Sequence, residues 1–167
     1  GHATAHIAAL MPDTLFIGCE VHEPGVGALL KLVGEQHLDN VRIVQHDAVE
    51  VLTHMVAPAT LHGVHVFFPD PWHKKRHHKR RLVSRPFADL VAAKLSTAGL
   101  WRLAPDWEDY ALHMREVMDG HPQLGNRHEG WAPRWEDRPR SRYEAKGIAA
   151  GRTIRDLCYG IREGGRR

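Results

Sequence analysis

The chain has 167 residues, of which 43% are hydrophobic and 26% charged, with a formal charge of only +3. That composition supports one α/β domain with a core and excludes a disordered or low-complexity protein. No apolar run approaches the ~20 residues of a membrane span and no signal-peptide pattern opens the chain, so a cytoplasmic protein is expected.

The two cysteines, Cys19 and Cys158, sit in apolar strand-like segments without CxxC or Cys/His spacing. Reduced, buried thiols are therefore expected. The 14 histidines are scattered, and His73, His77 and His78 lie among cations that would repel a divalent ion, so no metal is expected.

In chain order, Thr14 to Glu20 is a short apolar run closing on an acid, and a helix-like stretch from Pro24 to Leu38 leads to Val41 to Asp47, which closes the same way. A second helical segment, Ala48 to Val56, leads to the apolar run Gly63 to Asp70. Phe87 to Leu95 reads as a helix, followed by a strand in GLWRLA. Four such alternations predict a doubly wound, mostly parallel twisted sheet with helices on both faces, a Rossmann-like fold. Trp107 to Met118 is an amphipathic helix with Tyr110, Leu112, Met114, Val117 and Met118 as its apolar members and Asp106 as N-cap. Residues 121 to 140, rich in Pro, Gly, Arg and Trp, read as a long loop or insertion, and Ile154 to Tyr159 as the last strand. The whole is expected to be a single domain.

Glu20, Asp47 and Asp70 each end a predicted parallel strand, which should bring them to one edge of the sheet, where open α/β folds bind ligands. An acid closing one strand accepts from the vicinal hydroxyls of a ribose, and Glu20 is the candidate. An acid closing the next accepts from the exocyclic amine of an adenine, and Asp47 is placed for that. Asp70 lies in a Pro-Asp-Pro-Trp turn, followed at once by nine residues, His73 to Arg81, that are all His, Lys or Arg. Their six Lys or Arg side chains suit several phosphates, so a nucleic acid is the expected partner. Proline turns and basic runs are each common structural features. What distinguishes this run is its position directly behind a buried strand and a carboxylate. Trp72 could stack on a base or pack under the turn, and packing is expected.

With IGCEVHEPGVG, NVRIVQHDA, FFPDPWHKKRHHKRR, APDWEDYALHM and RPRSRYEAKG in this order, the chain resembles the bacterial tRNA guanine-N7 methyltransferase family over nearly its whole length. The resemblance implies a class I methyltransferase fold and transfer of a methyl group from S-adenosylmethionine to N7 of guanine-46 in the tRNA variable loop. It implies Glu20, Asp47, Asp70 and Gly1 as cofactor-binding residues, with Asp70 also the active-site acid. Lys74, Asp106, Ser141, Arg142, Tyr143 and Glu144 match the family's substrate-binding positions. Lys75, Arg76, Lys79, Arg80 and Arg81 would grip the RNA backbone. Two positions depart from the family pattern: Pro105 and Ser141 each stand where threonine is usual. Serine keeps the hydroxyl, whereas Pro105 loses both the hydroxyl and an N–H.

In such a fold a strand and a glycine-rich loop precede the first helix. Here Gly1 reads as the last glycine of that loop, so the first strand and the loop are expected to be missing from the given chain. The alternative reading is a non-catalytic RNA-binding module with an incomplete cofactor site. A nicotinamide-dependent oxidoreductase shares the βαβ logic but leaves the basic corner unexplained.

Overall fold

In the computed structural model, which describes residues 2–164, the apolar runs near the N-terminus become two short parallel strands, β1 (Phe16–Cys19) and β2 (Val41–Val44). Helix α1 (His2–Leu10) precedes them, α2 (Glu23–Glu35) connects them, and α3 (Ala48–Met55) follows. Pro24 sits in the first turn of α2, where its missing N–H costs nothing. Asn40 ties this part together: its amide nitrogen lies 2.9–3.0 Å from the carbonyls of Ala8, Met11 and Thr14, fixing the end of α1 and the turn after it against the start of β2. These elements, with residues Trp135–Tyr143, form one compact unit, Gly1–Met55.

The second unit comprises Val56–Arg134 and Glu144–Arg167. Its sheet has four strands in the order β3-β4-β6-β5: β3 (Leu61–Phe67), β4 (Leu95–Ala104), β6 (Leu157–Ile161) and β5 (Leu124–Asn126). β3 and β4 are parallel, with a register shift between Leu61 and Gly63. Gly99 belongs at that irregularity, because a Cβ there would lie 2.6 Å from the Leu61 carbonyl oxygen. β4 and β6 occupy the middle of the sheet and are buried accordingly: Trp101, Leu103, Leu157 and Tyr159 are all nearly inaccessible. Helix α4 (Arg85–Lys94) starts at Ser84, whose hydroxyl accepts from Phe87 N–H, and it buries Phe87, Ala88, Val91 and Ala92. Helix α5 (Glu108–Asp119) buries Tyr110, Ala111, Met114 and Met118.

The mostly parallel expectation holds: β1 pairs with β2 and β3 with β4 in parallel, while β6 runs antiparallel to both its neighbours, and the strands form two sheets. Finer expectations are corrected. Within 121 to 140 the chain forms β5 and a bridge from Ala132 to Asp156. Leu112 lies on the solvent side of α5 and is 51% exposed, with Ala111 taking the inward position. Cys158 is buried as expected, whereas Cys19 is exposed. Among the described residues no helix is long and apolar enough to cross a membrane, and no cluster of His, Cys, Asp or Glu could hold a metal.

Candidate active site

The turn after β3 is the most strained segment of the second unit. Phe68 and Trp72, flanking Pro69-Asp70-Pro71, have φ of 51° and 46°. Bulky residues avoid the left-handed region, and each such position costs about 1–3 kcal/mol and persists only where the surroundings enforce it. Two restraints enforce it here. Phe68 N–H donates to the Ala104 carbonyl at 2.9 Å, extending the β3 and β4 pairing into the turn. Arg81 reaches back from the far end of the basic run: its Nε donates to the Pro71 carbonyl at 2.6 Å and its terminal nitrogen to Asp109 on α5 at 2.8 Å.

Arg81 is thus not an exposed cation. Its side chain is 4% exposed and stacks over the Tyr110 ring at 4.6 Å. Burial opposes ionisation of Asp109, but the Arg81 guanidinium holds the carboxyl below its usual range. The Tyr110 hydroxyl accepts from Val83 N–H at 2.9 Å, anchoring the segment that leads into α4. Burial raises the Tyr110 phenol, with Val83 N–H and Arg81 opposing and the Asp70 carboxylate adding to the rise. Asp70 itself is exposed on this braced turn.

Lys75–Arg80 form a six-residue 3-10 turn with no buried member, and Lys74, Lys75, Arg76, Lys79 and Arg80 are all exposed. Trp72 lies half-buried, with Arg80 over its ring at 5.1 Å and the His77 ring edge-on at 6.0 Å.

At the end of β4, next to β3, stands Asp106. It does not cap α5; Trp107 occupies the cap position without a side-chain bond. The Asp106 carboxylate is buried instead, and neither oxygen receives a hydrogen bond among the described residues. Its counter-charge is Arg152, whose Nε lies 3.4 Å from Oδ2. The Arg152 guanidinium sits over the Trp107 ring at 5.1 Å, and the His73 ring meets the same indole edge-on at 4.1 Å. Pro105 is buried, and its carbonyl accepts from Arg155 N–H at 3.3 Å. Glu144, in α6 (Arg142–Ala149), is 1% exposed, and Arg134 grips both its oxygens at 3.1 Å.

In the first unit, Glu20 and Asp47 follow the ends of β1 and β2, which are neighbours in register. One Glu20 oxygen accepts from His22 N–H at 3.0 Å. Gly25 makes room for this carboxylate, since a Cβ there would stand 2.8 Å from Glu20 Cδ. Asp47 Oδ1 accepts from Glu50 N–H at 2.9 Å, which caps α3 and leaves the other oxygen open. Ser141, Arg142 and Tyr143 belong to this unit, at the start of α6, and Gly1 lies outside the described residues.

The four acids therefore divide by unit: Glu20 and Asp47 belong to the first, Asp70 and Asp106 to the second. Sequence reasoning missed Arg152, Arg134 and the inward turn of Arg81. A lone arginine after a helix carries no pattern that announces its partner; only the glutamate it neutralises was visible for Arg134.

Residues 1–157 match a protein-family model described as "Putative methyltransferase". Over 159 residues the chain is 54% identical to the tRNA (guanine-N(7)-)-methyltransferase of Acidovorax sp. (strain JS42), an alignment covering 95% of this chain and 63% of the relative. Over 165 residues it is 53% identical to the protein of the same name from Paraburkholderia xenovorans (strain LB400), covering 99% and 64%. The chain thus spans less than two thirds of the length of these relatives. Among solved structures, a SAM-dependent O-methyltransferase from Thermotoga maritima superposes with a TM-score of 0.58 at 10% identity, covering 96% of this chain and 54% of that one. An rRNA methylase from Streptococcus thermophilus superposes with a TM-score of 0.55 at 10% identity, covering 97% and 95%. At that identity these two speak to fold alone, and the fold is that of class I methyltransferases. With the family model matched across both units, the chain belongs to this methyltransferase family.

Proposed function

We propose that the protein methylates N7 of a guanine in the variable loop of tRNA, with S-adenosylmethionine as methyl donor. The observation that carries this reading is the 54% identity, over 95% of the chain, to enzymes of that name. The chemistry of the residues supports it.

The donor set of the first unit fits the cofactor. Glu20 keeps one carboxylate oxygen beyond its bond to His22 and sits in a cradle that a Cβ at Gly25 would fill. That suits a pair of ribose hydroxyls, while the open Asp47 oxygen suits the adenine amine. When bound, S-adenosylmethionine supplies an electrophilic methyl group on a sulfonium centre. Gly1 completes the proposed cofactor set.

Guanine N7 carries a free lone pair, so no residue has to act as base before it attacks. The methylated purine is cationic, and a carboxylate beside it stabilises charge that is absent from the neutral base. We assign that role to Asp70, whose turn is held rigid by Arg81 and by the extension of the β3 and β4 pairing. Asp106 suits guanine rather than adenine, because its two oxygens accept from N1–H and the N2 amine, a donor pair that adenine lacks. Lys74, Ser141, Arg142 and Tyr143 complete the substrate set. Glu144, already gripped by Arg134, serves that set by fixing α6. Lys75, Arg76, Lys79 and Arg80 hold the RNA backbone, with Arg81 bracing the turn that carries them. The reading places the protein in the cytoplasm, where tRNA is found.

The test is the Asp70→Ala variant in the full-length enzyme. Methyl transfer to tRNA, followed as 7-methylguanine, should be lost while tRNA binding is largely retained; unchanged turnover removes Asp70 from the site.

A further inference from the structure

The Asp106 carboxylate presents a contradiction if it recognises a base, for its side chain is only 1% exposed. Burying a carboxylate without hydrogen bonds is costly, and here neither oxygen has one. The group beside it is Arg152, close enough for ion pairing at 3.4 Å but not placed to donate a hydrogen bond, since its Nε is itself without a partner. The same guanidinium lies over the Trp107 ring. A planar cation on an indole, facing a carboxylate with two open acceptor positions, has the recognition chemistry of a guanine edge: N1–H and the N2 amine of guanine belong to a cyclic guanidine.

From this juxtaposition we infer that Arg152 is an internal stand-in for the target base. It occupies the Asp106 and Trp107 site in the free protein and is exchanged for guanine when tRNA binds. The inference rests on the proposed role of Asp106 in guanine recognition. Arg152 is built to leave. It follows Gly151, which has φ of 82°, in the turn after α6. Its backbone N–H is held by the Gly147 carbonyl at 2.8 Å, so the side chain can swing while the main chain stays fixed. Gly147 leaves the guanidinium room, for a Cβ there would come within 3.4 Å of a terminal nitrogen. The side chain is 24% exposed, which gives it a route outward. A poorly hydrogen-bonded ion pair yields to a ligand that makes both bonds. Non-guanine bases cannot make both bonds, so the stand-in sharpens selection for guanine.

A site that is open for only a fraction of the time binds its ligand more weakly by that fraction. Arg152→Ala in the full-length enzyme should therefore lower KM for tRNA by roughly threefold to tenfold, with kcat little changed. Methylguanidinium added to Arg152→Ala should act as a competitive inhibitor against tRNA and return KM toward the wild-type value. In an Asp106→Asn background, Arg152→Ala should leave KM unaltered, because the stand-in then has no carboxylate to hold. Arg152→Lys, which keeps the charge but loses the planar fork, provides a second variant should alanine unfold the protein, and its KM should fall between the two. A drop in kcat/KM for Arg152→Ala that lysine restores would overturn the inference and make Arg152 a positioning residue; unchanged KM in both variants would also overturn it. Absence of 7-methylguanine in tRNA treated with the wild-type enzyme would instead refute the proposed function, so the two failures are distinct.

Discussion

Arg81 illustrates how a residue's neighbours, and not its composition class, decide its role. It closes a run of nine basic or histidine residues, the context of a solvated cation, yet its guanidinium bonds the Pro71 carbonyl and Asp109 and lies against Tyr110. Removing it strands a carbonyl at 2.6 Å and releases the strained Trp72 backbone from its brace. Asp109 is 55% exposed and regains water, which tempers the loss. Arg81→Met should therefore destabilise the protein by about 2–4 kcal/mol, whereas Arg80→Ala should cost less than about 0.5 kcal/mol. Urea midpoints of the two variants check this; equal values would mean the bonds to Pro71 and Asp109 contribute nothing.

At the scale of the element, the pairing of β3 with β4 places His65 opposite Arg102 and beside Phe67, whose ring stacks on the imidazole at 5.3 Å. Burial, reinforced by Arg102, lowers the His65 pKa from 6.5 to about 4. The folded state thus resists protonation where the unfolded chain accepts it. Stability contributed by neutral His65 is complete above pH 6.5 and is lost as pH falls from there toward 4. Between pH 7.5 and pH 5 the loss should be about 2 kcal/mol. His65→Gln should remove that portion of the acid sensitivity, measured as the difference between urea midpoints at the two pH values; an equal difference in variant and wild type would exclude His65 as its source. The neighbouring strand ends tell a related story. Asp106 read as an N-cap because acids before helices usually are, but a buried carboxylate with a cation at 3.4 Å is drawn to the charge and not to the helix.

For the whole molecule, the strand and helix positions were legible because short apolar runs closing on acids alternate with amphipathic stretches, and Glu20, Asp47 and Asp70 do end strands or the turns after them. The direction of β6 was not, since its antiparallel placing depends on pairing with residues more than thirty positions away, which periodicity does not encode. Nor was exposure at Cys19 and Leu112, which depends on what packs above each residue. The charge of the basic run, by contrast, was legible except at Arg81, which turns inward. A formal charge of +3 gives no strong global attraction to a polyanion, so RNA affinity must come from the exposed part of the basic run. Each phosphate contact contributes roughly 0.7–0.9 to the slope of log affinity against log salt. Replacing Lys79 and Arg80 together by alanine should lower that slope for tRNA by about 1.5 and weaken binding. Arg81→Met, although it carries the same loss of charge as either single replacement, should leave the slope unchanged because its guanidinium is already neutralised by Asp109 and shielded from solvent. Binding titrations at several salt concentrations separate these outcomes. A slope that falls for Arg81→Met would place that side chain on the RNA, and one that stays fixed for the double variant would remove the 3-10 turn from the interface.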